Sequence, residues 1–218
     1  MDIIDIIKKR RSIRRFKPDL VPEDLVKKII EAATWAPSAC NIQGWRFIIV
    51  DDPTIKEEIV NQGGAIIIKE APLGILVVYD KRTKNVEYQD YIQSGAACIQ
   101  NLILAATNFG LGACWICNLP PKRILRRIFK IPQSFSPIAY VILGYPANEV
   151  KEMARTYPLN HLIGYNFFNP KFPQEKINTA RLFFHRVFRK IYYLLPVFLK
   201  KKFLNKFVDK KFVKKFEN

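Results

Sequence analysis

Four short apolar runs, at 45–50, 73–79, 113–117 and 138–144, constrain this chain more than any other feature. Each is too short for a core helix and rich in β-branched residues, which predicts strands buried on both faces. Between them lie helical patterns at 54–61, 89–109 and 121–130; in the longest, Ile92, Ala96, Ile99, Ile103 and Ala106 share one face and Gly110 supplies a stop. Ahead of the first strand, Asp2 is a candidate N-cap for a helix over 2–10. Pro22, Glu23 and Asp24 open a second helix, whose stripe is Leu25, Val26, Ile29, Ile30 and Ala33. Helices alternating with strands predict an α/β or α+β sandwich with helices covering the sheet.

A chain of 218 residues, 49% of them hydrophobic, can bury one sizeable core. Cys40, Cys98, Cys114 and Cys117 occur without a secretory leader, so reduced thiols and a cytoplasmic location are expected. Cys114 and Cys117 spell a dithiol spacing, but in a strand such side chains diverge. His161 and His185 fall in the arm and tail, away from that pair, which argues against zinc. There is no Gly-x-Gly-x-x-Gly segment between a strand and a helix, no P-loop and no Ser-His-Asp set, so a nicotinamide would bind only transiently.

Two segments carry chemistry. Arg10-Arg11-Ser12-Ile13-Arg14-Arg15-Phe16 places guanidiniums and a hydroxyl behind a short helix, and a planar guanidinium holds phosphate oxygens bidentately. Ala36-Pro37-Ser38-Ala39-Cys40-Asn41-Ile42-Gln43-Gly44-Trp45 is a small polar loop leading into the first strand. Alone, the first could simply complement a helix dipole and the second could be an ordinary turn. In this order they resemble the nitroreductase family of FMN-dependent oxidoreductases, as does Gly110-Leu111-Gly112-Ala113-Cys114-Trp115-Ile116.

The resemblance covers residues 1–165 and implies an α+β, three-layer sandwich with a central mixed sheet flanked by helices. It also implies a C-terminal arm wrapping the partner of an obligate homodimer. It assigns FMN contacts to Arg10, Arg11, Ser12 and Arg14, and to Pro37, Ser38, Ala39 and Asn41 reaching across from the second subunit. Backbone near Cys117 and Asn118 would face the flavin's hydride-accepting nitrogen, and Arg155 would be a second phosphate contact. Many family members carry Gly or Glu-Gly where this chain has Cys117-Asn118. The implied activity is transfer of hydride from NAD(P)H to an electron-poor small molecule. A dehalogenating or flavin-destroying branch, or a non-enzymatic flavin-binding module, are the other readings.

Residues 166–218 form a separate extension. From 171 onward there are 14 Lys/Arg against 3 acids, out of a whole-chain net charge of +17. Over 176–218 cations alternate with Leu182, Phe183, Phe184, Phe188, Ile191, Phe203, Phe207 and other large apolar residues at helical spacing. This pattern suits packing on the protein itself or an anionic membrane surface on the inner face, more than nucleic acid. The apolar run before 200 contains Pro196 and is too short to span a bilayer.

Overall fold

The computed structural model describes residues 2–82, 85, 87–169, 172 and 179–196. The four expected strands form, as β1 (Trp45–Val50), β2 (Leu73–Asp80), β3 (Gly112–Ile116) and β4 (Phe135–Gly144). They pair antiparallel in the order β1-β2-β4-β3, so the sheet is antiparallel rather than mixed as expected; outside it, an isolated parallel bridge joins Ser12 to Ala113.

Period-two alternation divides the core into two layers. Ile75, Val77 and Tyr79 of β2, with Ala139, Val141 and Leu143 of β4, face one side and pack on Cys98, Ile99, Leu102 and Ala106. Those four belong to α4 (Asp90–Asn108), outside which α2 (Glu23–Thr34) lies, while α1 (Ile3–Lys9) also packs on α4. Leu76, Val78, Tyr140 and Ile142 face the other side, against Ile59 and Val60 of α3 (Pro53–Asn61) and Ile128 of α5 (Lys122–Ile128). The result is the expected three-layer α+β sandwich.

Differences from expectation have local causes. β2 is buried throughout, but β1 is an edge strand with Arg46 and Ile49 exposed, so it is not covered on both faces. Cys117 lies just past the end of β3. Asp2 sits at the N-cap of α1 without a side-chain capping bond, whereas Asp52 caps α3 by accepting the Thr54 N–H at 2.7 Å. Gly110 does end α4, at φ +77°, where only glycine is unstrained. The arm after β4 holds one 3-10 turn, Leu159–His161, and is exposed through 168. Within the extension, Thr179–Leu194 forms α6; Phe203, Phe207, Phe212 and Phe216 lie outside the described residues.

Candidate flavin-phosphate site

The segment after α1 is extended and stitched to the sheet. Ile13 N–H donates to the Ala113 carbonyl at 2.9 Å, Lys17 N–H to Tyr145 at 2.8 Å, and Ala147 N–H to Arg15 at 3.1 Å. The close approach depends on Gly112: a Cβ there would sit 2.7 Å from Ile13 Cβ, well inside contact distance. The arginines are thereby held beside β3.

Four cations converge on that edge. Burial depresses the Arg10 pKa first, and the adjacent guanidiniums of Arg11 and Arg155 depress it further. Arg14 and Arg10 both act on the thiol of Cys114, which burial pushes up, and the Ser12 hydroxyl bonds to that thiol. Cys117 is the other group that raises Cys114, so the exposed end of β3 belongs to the same neighbourhood. Arg11 donates from Nη2 to the Met153 sulfur at 2.7 Å, yet its Nη1 is buried without a hydrogen-bond partner. A buried, unpaired guanidinium nitrogen among like charges is costly, and a polyanion supplying several acceptor oxygens would offset both penalties. The donor set therefore fits the phosphate of a mononucleotide.

The 37–44 loop is built differently. Cys40, Asn41 and Gln43 adopt positive φ of 49°, 53° and 49°, three left-handed residues, none a glycine, interrupted by Ile42 in the right-handed region. It is held by Ala39 N–H donating to Ser94 Oγ at 3.0 Å, Gln43 N–H to Ser38 Oγ at 3.1 Å and Gln43 Nε2 to Asn41 Oδ1 at 2.8 Å. Ser94 in turn donates to the Asp90 carbonyl at 2.8 Å in the first turns of α4. The loop's hydrogen bonds thus run to its own residues, to α4 and, through the Gly44 carbonyl accepting from Asp80 N–H at 2.9 Å, to the end of β2; Pro37 and Asn41 are exposed.

Of the residues expected from sequence, Arg10, Arg11, Ser12, Arg14, Arg155 and Cys117 are brought together around β3. Asn118 is exposed beyond it, and its carbonyl accepts from Ala65 N–H at 3.0 Å. Pro37, Ser38, Ala39 and Asn41 form the second locus at α4. Met153 and Ser94 had no sequence signal, and Ile13 figured only as a spacer in the arginine segment; each acts through a contact with a residue far away in the chain.

Comparisons with known proteins bear on the family and the fold. The model of the nitroreductase family matches residues 7–70 and 60–145. A Methanothermobacter thermautotrophicus protein, provisionally named an NADH dehydrogenase/NAD(P)H nitroreductase, is 39% identical over 152 residues, covering 67% of this chain and 78% of that relative. The structure of an FMN-dependent nitroreductase from Clostridium difficile superposes with a TM-score of 0.67 at 30% identity, covering 76% of this chain and 99% of that one. Iodotyrosine deiodinase, solved with FMN and 3-iodo-L-tyrosine, superposes with a TM-score of 0.65 at 25% identity, covering 77% of this chain and 100% of that one.

Proposed function

The chain belongs to the nitroreductase family, and on that premise we propose that it is a homodimeric, FMN-dependent oxidoreductase that moves hydride from NAD(P)H to an electron-poor small molecule. The observation that carries this reading is the grouping of Arg10, Arg11 and Arg155, with Arg11 Nη1 buried and unpartnered. When bound, FMN would supply the redox chemistry, taking a hydride from the nicotinamide and then passing two electrons to an acceptor that enters the same space, in ping-pong order.

The protein's own part is to bind, orient and manage charge. Arg10, Arg11 and Arg155 would hold the phosphate, with Ser12 as a further donor. Arg14 would place a fixed cation beside the ring system, where reduction builds negative charge. The Pro37 to Asn41 loop of a second copy would complete the site, its conformation set by Ser94 rather than by the ligand. Pre-formed irregular backbone of this kind lowers the ordering cost of binding. Backbone at Cys117 and Asn118 would contact the flavin edge and help tune its potential.

An absorbance spectrum of the purified protein, followed by anaerobic titration with NADH and with NADPH, tests the reading. A flavin spectrum that bleaches with either nucleotide supports it. Protein that takes up no FMN, or holds FMN that neither nucleotide bleaches, overturns it.

A further inference from the structure

Helix α6 presents a large apolar face to solvent. Phe183, Phe184, Val187, Phe188 and Ile191 follow the i, i+1, i+4, i+5, i+8 spacing that gathers side chains on one side of a helix. Phe183, Phe184 and Phe188 are 63%, 60% and 69% exposed. Such a face needs a partner.

Charge identifies which one. Arg186 and Lys190, spaced i, i+4 and both exposed, lie on the opposite side from Phe184 and Phe188. Arg181 and Arg189 add to the helix's charge, and no Asp or Glu occurs anywhere from Lys176 to Val208. Phe183 lies beside Lys190, so the cations border one flank of the apolar face and continue behind it, an arrangement that suits a flat boundary between hydrocarbon and anionic headgroups. Nucleic acid would instead call for the two kinds interleaved on one surface. At 16 residues the helix is about 24 Å long at 1.5 Å per residue. Among the described residues no helix is long and apolar enough to cross a membrane, so α6 would lie along the surface.

We propose that α6 docks this enzyme on an anionic lipid surface, burying its phenylalanine face between acyl chains and headgroups. Every residue assigned to the flavin site lies upstream of the helix, so docking and flavin binding are separable.

The test uses the full chain and vesicles of phosphatidylcholine with or without phosphatidylserine. The wild type should sediment with the phosphatidylserine vesicles at low salt, be released at high salt, and ignore pure phosphatidylcholine. Two variants, Phe184→Ser with Phe188→Ser and Arg186→Glu with Lys190→Glu, should each bind at least about tenfold more weakly, since each removes two groups that contact the surface, buried aromatics in the first and cations in the second. Flavin content and oligomeric state should stay at wild-type values. Failure of the wild type to bind phosphatidylserine vesicles at low salt overturns the proposal, as does equal binding to both vesicle types or undiminished binding by either variant. A change in oligomeric state in the phenylalanine variant also overturns it, by assigning the face to a contact between copies of the chain. Because flavin content is read separately, none of these outcomes bears on the FMN assignment.

Discussion

In the proposed phosphate site Arg10 and Arg11 would have complementary parts. Arg10 is held below its ordinary pKa by burial and by two neighbouring cations, so its charge is maintained at a cost that a bound phosphate would relieve. Arg10→Ala should therefore weaken FMN binding by about 1.5–3 kcal/mol, the range for a charged hydrogen bond in an enclosed site. Quenching of flavin fluorescence measures it directly, and equal affinities for wild type and variant would remove Arg10 from the site. A different charged residue links stability to pH. Asp80 is buried, and hydrogen bonds from the Arg82 side chain hold its carboxyl below the usual range. Because the folded pKa is depressed, its stabilisation is present above the unfolded value near pH 4 and disappears as pH falls towards the folded one. Asp80→Asn should lower thermal stability at neutral pH and flatten the acid limb of the stability profile below pH ~4.

At the scale of elements, the stretch from Arg11 to Lys17 matters because it is neither helix nor strand, yet runs along the sheet. Its backbone bonds to Ala113 and Tyr145 tie it to β3 and to the residue after β4. The absent side chain at Gly112 lets Ile13 close over the strand. Gly112→Ala should cost about 1–3 kcal/mol of stability by overpacking, and the same displacement should loosen flavin retention. Thermal unfolding with and without added FMN reads both effects; a variant as stable as wild type would show that the segment yields without consequence. The residue types of this segment were legible in the sequence, as were all four strands and the helices around them. The left-handed backbone at Cys40, Asn41 and Gln43 was not, because Cys and Gln have no local preference for positive φ. Contact with Ser94, more than fifty residues away, secures it.

At the scale of the whole molecule, the two loci expected to share one flavin are anchored to different elements: the arginines to β3, the Pro37 to Asn41 loop to α4. The exposed faces include Ile3, Ile4 and Ile7 of α1, together with Trp35 at the end of α2. The arm adds Leu159, Tyr165 and Phe167. In the dimer proposed above, a second copy would cover the apolar surface and bring its loop to the first copy's arginines. The flavin-loaded protein should accordingly be an obligate homodimer by light scattering, and dilution that dissociates it should release flavin in parallel. A flavin-loaded monomer at micromolar concentration would contradict this.

By itself the sequence determined the two-layered core, since short apolar runs whose successive side chains point to opposite faces of a strand, and 3.6-residue periodicity along a helix, are properties of short windows. It also determined the chemistry on offer, because guanidiniums in a run can do little besides bind anions or face water. Tertiary structure decided which of those groups meet. Arg155 is far from Arg10 in sequence and sits in a loosely matching motif, yet both charges act at one place. Met153 reaches Arg11 across 142 positions. The exposure of β1 was decided in the same way: β1 and β3 both lie at sheet edges, but the Arg11 to Lys17 segment packs along β3, which stays largely buried, whereas Arg46 and Ile49 of β1 are exposed. Local pattern specifies what each segment can be, whereas convergence of distant charges depends on how layers stack, and that free energy is shared by the whole core.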